Sequence, residues 1–279
     1  MLVDLLLELG IDGPRLSQAS DRIRKVIQAV PQGEDKPLYE LARGSARKFL
    51  DRKRYGGNQD VILLDSVLSI RQLYRMVVKW VGSYEQYLAV QGLRHSLETL
   101  ATLDSEGYRQ HLRYLGFQSV PTQSRVQCAK ALGKVFLQKY PETINGKSFG
   151  IFRWVEDTEG WTQFLRPYSE RDEICNAFTD AMLRELNLPF RQTTLCGLSL
   201  FQYLRMQSGE DTLKPDSRVT GNLKKLLQVD ELTGTRCLIL ASAISRELGI
   251  RLIELDQILV CEDYLRRKQK FQTLLDTAN

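Results

Sequence analysis

The sequence predicts an all-α fold, and two observations lead to this prediction. Apolar residues recur every three or four positions along most of the chain, which is the spacing of one face of an α-helix. No stretch of useful length alternates apolar and polar residues as a half-buried strand does. The chain has 279 residues, 43% of them hydrophobic, so it can bury a large core. We therefore expect about ten helices joined by short turns.

The helices can be placed in order along the chain. The first clear pattern predicts one long amphipathic helix over 60–82, in which Arg71, Arg75 and Lys79 form a polar stripe. Gly82, Gly116 and Gly249 each follow a periodic run and are expected to end a helix. Proline residues that precede new runs are Pro121, Pro189 and Pro215. Further helices are predicted over 84–101, 105–115, 124–139, 170–186, 198–207, 219–227, 234–248 and 254–275.

Composition limits the compartment and the cofactors. The apolar residues 1–10 include Asp4 and Glu8 and have no basic residue before them, so they fit neither a signal peptide nor a membrane span. The five cysteines lie far apart, unlike the ligands of a zinc site or an iron–sulfur cluster. We expect a cytoplasmic protein with reduced thiols, no metal, no other cofactor and no membrane association.

Positive charge is concentrated in one segment. Residues 43–54 hold six basic residues and one acidic residue, a net charge of +5 that equals the formal excess of the whole chain. Such a stretch is typical of a surface that meets phosphates, although a solvated helix face has the same composition. We divide the chain into an N-terminal helical segment with this basic stretch (1–58) and a body (59–279), in which 140–169 is an irregular connection or insertion.

Two catalytic motifs are incomplete. Gly146, Lys147 and Ser148 resemble the end of a phosphate-binding loop, but Pro141 stands where its leading glycine belongs. The run 197–201 begins like the nucleophile elbow of serine hydrolases and lacks the closing glycine. The two histidines, His95 and His111, lie upstream and are read as ordinary helix residues. Neither a nucleotide-binding loop nor a serine hydrolase is expected.

The most informative segment is 193–227. Residues 195–199 are predicted to form a tight turn that opens a helix, because Gly197 permits an unusual backbone conformation. The N–H groups of Gly197 and Ser199 would then be available to a phosphate. Further on, Asp216 is expected at the N-terminus of the next helix, where an aspartate is also a common capping residue.

These residues resemble the helix-hairpin-helix DNA glycosylase superfamily, which includes endonuclease III and the adenine and alkyl-base glycosylases. The hairpin motif is matched by Leu195, Gly197 and Leu198, and the aspartate motif by the run from Asp216 to Val219. The resemblance extends over 60–259 and is sharpest over 193–227. It implies a two-lobed helical bundle with a helix-hairpin-helix motif.

The resemblance also implies roles for single residues. Asp216 would be the catalytic carboxylate, Gly197 and Ser199 would hold phosphate, and Lys214 and Arg218 would contact the sugar-phosphate backbone. In the basic segment, the residues expected to bind DNA are Arg47, Lys48, Arg52, Lys53 and Arg54.

The sequence departs from the family pattern at three positions. Cys196 replaces the usual proline and Ser199 the second glycine, and Phe201 occupies the position of the lysine of bifunctional lyases. The chain also lacks the cysteines that bind the iron–sulfur cluster in endonuclease III. We therefore expect a monomeric, monofunctional DNA glycosylase of base excision repair, whose partner is DNA.

Two other readings stay open at this point. One is a non-catalytic DNA-binding module, whose binding would depend on salt and on the basic segment. The other is a helical scaffold for protein partners, in which Asp216 only caps a helix. The sequence does not identify the base that would be excised.

Overall fold

The structure is a computed structural model of the 279-residue chain. It describes residues 11, 13–30, 35–51, 54–70, 72, 74–141, 143–144, 147–148, 150–157 and 193–260. Three predicted features lie outside the described residues: the helix over 170–186, Pro189 with the connection beyond residue 157, and the part of the last helix that follows residue 260.

The described ranges form an all-α structure, as the sequence predicts. In chain order the helices are α1 (Gly13–Gln28), α2 (Leu38–Leu50), α3 (Gln59–Leu68), α4 (Tyr74–Gln91), α5 (Leu97–Thr102), α6 (Ser105–Tyr114), α7 (Gln123–Lys139), α8 (Gly150–Asp157), α9 (Thr193–Gln207), α10 (Ser217–Leu227), α11 (Gly234–Leu248) and α12 (Leu252–Val260). One 3-10 turn (Arg54–Gly57) precedes α3. Strands β1 (Thr143–Ile144) and β2 (Lys147–Ser148) form a minimal antiparallel pair. None of the described helices is long and apolar enough to cross a membrane.

The chain divides into two compact units. The first unit combines residues 1–51 with 211–279, and the second comprises 52–210. In the first unit, α12 packs against α2, α10 and α11, and α1 packs against α2, α10 and α11. Its core includes Val26 of α1, Leu38 and Ala42 of α2, and Ile258 of α12. The amphipathic pattern of α2 follows from this packing, because the helix buries one face against α12.

The second unit is built around α3. All ten residues of this helix are buried, because α4, α5, α7 and α9 pack around it. The second unit also contains an aromatic cluster. The centre of the Trp154 ring lies 5.3 Å from the ring centres of both Phe136 and Phe201, and both contacts are edge-on. Edge-to-face contacts of this kind stabilise a core beyond the burial of their area.

One predicted helix is wrong, because the region 60–82 does not form a single amphipathic helix. Helix α3 ends at Leu68 and α4 begins at Tyr74. The Ser69 hydroxyl, just past the end of α3, donates to Asp65 Oδ1 at 2.8 Å. The expected polar stripe of Arg71, Arg75 and Lys79 therefore does not lie on one continuous helix, because α3 ends before Arg71 and α4 begins after it.

The predicted end at Gly82 is also wrong. Gly82 lies inside α4, which continues to Gln91, and Gly92 follows with a φ of 65°. The predicted helix over 84–101 is accordingly divided between α4 and α5. In contrast, Gly116 and Gly249 do follow helix ends, with φ values of 82° and 67°, a left-handed conformation that glycine adopts without strain.

Several other predicted helices agree within two residues with the structure, whereas the helix predicted over 198–207 begins five residues earlier, at Thr193. Helices α6, α7 and α11 match the patterns over 105–115, 124–139 and 234–248. Pro121 and Pro215 each lie two residues before a helix. Within 140–169, expected to be irregular, the structure places β1, β2 and α8. The short α8 buries Ile151, Trp154 and Val155, a spacing too brief to stand out in the sequence.

Candidate functional site around Asp216

The loop that leads to Asp216 is fastened to α12. The carboxylate of Asp211 accepts the backbone N–H of Ile253 at 3.0 Å, and Oδ1 of Asp256 accepts the backbone N–H of Lys214 at 2.8 Å. The loop then turns tightly around Pro215, because the Asp216 N–H donates to the Lys214 carbonyl oxygen at 2.7 Å. Asp216 is thereby placed at the N-terminus of α10.

Asp216 caps α10 through one of its two carboxylate oxygens. Its Oδ1 accepts the backbone N–H groups of Arg218 at 2.9 Å and Val219 at 3.1 Å. This is the ordinary geometry of an N-cap. From the described part of the chain, Oδ2 receives no hydrogen bond, and the side chain is 29% exposed. The carboxylate is therefore held rigidly while one oxygen stays available to an outside group.

Charged and titratable groups surround this carboxylate. The Lys214 ammonium lies 3.9 Å from Asp216 Oδ2. Burial raises the pKa of Asp256 to about 7, and the nearby charge of Asp216 adds to the rise. Burial also raises the pKa of the Cys237 thiol to about 12, so this cysteine is not a nucleophile at neutral pH. The available reactive group in this corner is a carboxylate beside a cation.

The predicted DNA-binding residues of α2 lie on its solvent face. Arg47 and Lys48 are exposed, and neither forms an ion pair with any described residue. Arg218 is partly exposed at the first turn of α10. The backbone of Arg54 belongs to the 3-10 turn, but its side chain, like the whole of Arg52 and Lys53, lies outside the described residues.

The predicted turn at 195–199 is not found. Helix α9 begins at Thr193 and runs through all five residues, and Gly197 is buried within it. A residue five positions into an α-helix directs its N–H to a carbonyl of the preceding turn, so it is not offered to a ligand. The prediction that Gly197 and Ser199 hold a phosphate through a hairpin therefore loses its geometric basis.

Phe201 is a core residue. It is fully buried, packs edge-on against Trp154, and has the guanidinium of Arg205 5.8 Å from its ring centre. A lysine at this position would have to bury its charge among aromatic rings. Phe201 itself offers no nucleophile, which agrees with its reading from the sequence as a residue that cannot form a Schiff base.

Sequence reasoning missed three buried aspartates. Asp60 and Asp65 of α3 are fully buried, and Asp256 is 1% exposed. A signal was present in the sequence, since Asp65 and Asp256 interrupt largely apolar runs and Asp60 directly precedes one. A charged residue in such a run is seldom buried unless it is hydrogen-bonded.

The two carboxylates of α3 have side-chain partners. Asp65 Oδ2 accepts from the Tyr55 hydroxyl at 2.8 Å and from the Gln207 amide at 2.6 Å. Asp60 Oδ2 accepts from the Tyr84 hydroxyl at 3.1 Å and lies 3.0 Å from Nδ1 of His95. Burial raises the pKa of Asp60, and the His95 contact opposes that rise. Both carboxylates organise the interior of the second unit.

The histidines are only partly as expected. His111 lies in α6 and packs edge-on against Tyr87, with ring centres 5.6 Å apart. His95 does not lie in a helix but in the turn between α4 and α5, where it meets Asp60. No group of three or more potential metal ligands occurs among the described residues.

Comparisons with protein-family models, with curated proteins and with solved structures gave no significant match.

Proposed function

We propose that this protein is a monofunctional DNA glycosylase, which hydrolyses the N-glycosidic bond of a modified or damaged base. The observation that carries the proposal is the geometry of Asp216. Its carboxylate is fixed by two backbone N–H groups, its Oδ2 receives no hydrogen bond from the described residues, and it is partly exposed with the Lys214 ammonium 3.9 Å from that oxygen. The resemblance of the run from Asp216 to Val219 to the aspartate motif of helix-hairpin-helix glycosylases supports the same residue.

The chemistry requires a carboxylate of this kind. The target base must leave the stack, which costs a few kcal/mol and less for a damaged or mispaired base. As the N-glycosidic bond breaks, positive charge develops on the sugar, and a fixed negative charge stabilises it. Asp216 Oδ2 would face that charge and would orient or deprotonate the attacking water. An imine between residue 201 and C1′ of the sugar is not part of the proposal, because no lysine occupies that position.

Nearby cations would bind the DNA backbone. Lys214 and Arg218 flank the carboxylate in the sequence, and Arg47 and Lys48 are exposed on α2 of the same unit. Contacts from such residues to phosphates position a duplex without reading its sequence. We assign this role to these side chains rather than to N–H groups at Gly197 and Ser199, because those two residues lie inside α9.

The test is base release from DNA that contains natural and bulky modified bases, with free bases identified by mass spectrometry. Asp216→Asn removes the charge and keeps a side chain that caps helices well, so the fold should persist while release stops. Asp211→Asn is the matched control, since it removes one negative charge from the same loop while its amide oxygen can still accept the Ile253 N–H. Release by the wild type and by Asp211→Asn alone supports the proposal. Equal release by Asp216→Asn contradicts it.

A second candidate is a DNA-binding protein without catalysis, because capping α10 already accounts for Asp216 Oδ1. This function predicts salt-sensitive binding that weakens when Arg47 and Lys48 are replaced, and no dependence on the charge of Asp216. Binding without base release from any tested DNA favours this candidate. Neither binding nor release favours a helical scaffold for protein partners.

A further inference from the structure

The carboxyl group of Asp256 lies beneath the turn that carries Asp216. Asp256 is buried in the middle of α12, and its Oδ1 accepts the backbone N–H of Lys214. The carbonyl oxygen of the same Lys214 accepts the N–H of Asp216. Two hydrogen bonds in series, the first to the Asp256 side chain and the second between backbone groups, thus connect the buried carboxyl with the candidate catalytic residue, through a turn that Pro215 stiffens.

We propose that Asp256 is a positioning residue for Asp216: it fixes the turn that presents Asp216 and, by gaining or losing one proton, changes the electric field at the Asp216 carboxylate. The predicted effect on rate rests on the proposed function. The coupling of the two carboxyl groups is a property of the fold and is measurable without activity.

The groups that face Asp256 explain why it can change its charge near neutral pH. Burial disfavours the charged form and raises its pKa to about 7, Asp216 of α10 adds to the rise, and Lys214 opposes it. The Gln257 amide donates to Oδ2 at 3.0 Å. From α11 the neighbouring titratable group is Cys237, which stays neutral in this range.

The charged and titratable side chains by which α2 contacts α12 meet Glu254. Arg43 lies 3.7 Å from Glu254, and the Tyr39 hydroxyl donates to the same carboxylate. Ser45 donates to Gln257 at 2.7 Å, which helps to fix the amide that contacts Asp256. Among the described residues, the proton on Asp256 therefore depends chiefly on its burial, Lys214 and Asp216.

The direction of the effect follows from charge. As the pH rises through about 7, Asp256 loses its proton and adds a negative charge close to Asp216. Because positive charge develops on the sugar in the proposed reaction, the added charge should accelerate base release. In Asp256→Asn the amide oxygen can still accept the Lys214 N–H, but nothing titrates there, so the rate should not change in this range.

The first test uses carboxyl carbon NMR of protein labelled with ¹³C-aspartate, and it needs no substrate. In the wild type, the Asp216 signal should show an inflection near neutral pH, caused by Asp256. Asp256→Asn should remove that inflection, and its persistence would overturn the inference. Conversely, Asp216→Asn should lower the midpoint of Asp256 by roughly half a pH unit, because a like charge is removed. An unchanged midpoint would overturn it as well, and this variant serves if Asp256→Asn does not fold.

The second test is single-turnover base release at saturating protein, measured between about pH 6 and pH 8. The wild type and Asp211→Asn should become several-fold faster across this range, whereas Asp256→Asn should change less than about twofold. A buried residue with a purely structural role would lower the rate equally at every pH. If the wild type releases no base, the proposed function fails while the NMR result still decides the coupling. If release occurs and Asp256→Asn retains the pH dependence, the inference alone fails.

Discussion

Asp65 and Asp216 show two different uses of a carboxylate in this chain. Asp65 is fully buried in the second unit, where its oxygens accept from tyrosine, serine and glutamine side chains. Asp216 belongs to the first unit, is held by two backbone N–H groups, and exposes 29% of its side chain. A carboxylate whose oxygens are occupied inside a core contributes to stability. A carboxylate whose hydrogen bonds come from backbone N–H groups at one oxygen is fixed in position and can still bind a ligand through the other.

The largest effect on stability is expected at Asp65. In Asp65→Ala, the Tyr55 hydroxyl and the Gln207 amide lose their acceptor in a buried environment. Each unsatisfied buried donor costs roughly 1–3 kcal/mol, so the free energy of unfolding should fall by about 3 kcal/mol, measured by urea denaturation. Asp65→Asn keeps one acceptor oxygen and should lose less. A variant as stable as the wild type would show that Asp65 does not organise this core.

A smaller effect on stability is expected at Asp216. Asp216→Ala removes the cap of α10 and should cost about 1 kcal/mol of the free energy of unfolding, whereas Asp216→Asn should cost only a few tenths. The same urea experiment measures both. The contrast with Asp65 would disappear if Asp216→Asn destabilised the protein as strongly as Asp65→Ala, and any loss of base release would then reflect unfolding.

Asp60 should make stability depend on pH in a defined direction. Burial raises its folded-state pKa above the ordinary value of 3.8, so the folded protein holds this proton more tightly than the unfolded chain does. The favourable contribution is present at acid pH and is lost as the pH rises above about 4. Asp60→Asn has no carboxyl group to lose this proton. The free energy of unfolding of this variant, relative to that of the wild type, should therefore increase as the pH rises from acid to neutral. Urea unfolding of both proteins at several pH values measures the difference, and a constant difference would contradict the assignment.

Much of the all-α fold could be predicted because helix spacing and turn residues are local features of the sequence. Helices such as α7 and α11 bury one face, so their apolar residues repeat with the helical period. The prediction was wrong at α3, because this helix is buried on every side and therefore has no separate apolar and polar faces. The prediction at Gly82 was also wrong, because in the sequence a glycine at an exposed helix position cannot be distinguished from a glycine that follows a helix end.

The candidate site was predicted in part for the same reason. The cap at Asp216 depends on residues within three positions of it, so the local sequence predicted its place correctly. Asp256 reaches the same loop across more than forty positions in the chain, a contact that only the folded structure brings together. The turn at 195–199 was predicted because Gly197 permits an unusual backbone conformation, but the apolar residues beside Gly197 favour a continuous helix. The division of the sequence at residue 58 and the roles of Arg52 and Lys53 remain predictions.

The smallest effect on stability is expected at Arg47 and Lys48, and it extends the comparison to the surface of α2. Both side chains are exposed and have no ion-pair partner among the described residues, so replacing both with alanine should change the free energy of unfolding by less than about 0.5 kcal/mol. If they contact DNA phosphates, the double variant should bind DNA more weakly, and the slope of log affinity against log salt should become shallower by up to about two. Fluorescence anisotropy with labelled duplexes over a range of salt concentrations measures this slope. Replacing Arg15 and Lys36, which lie on the same unit outside the basic segment, gives the control for a loss of two charges in general. An equal change in slope in both double variants would show that net charge, rather than the α2 surface, governs binding.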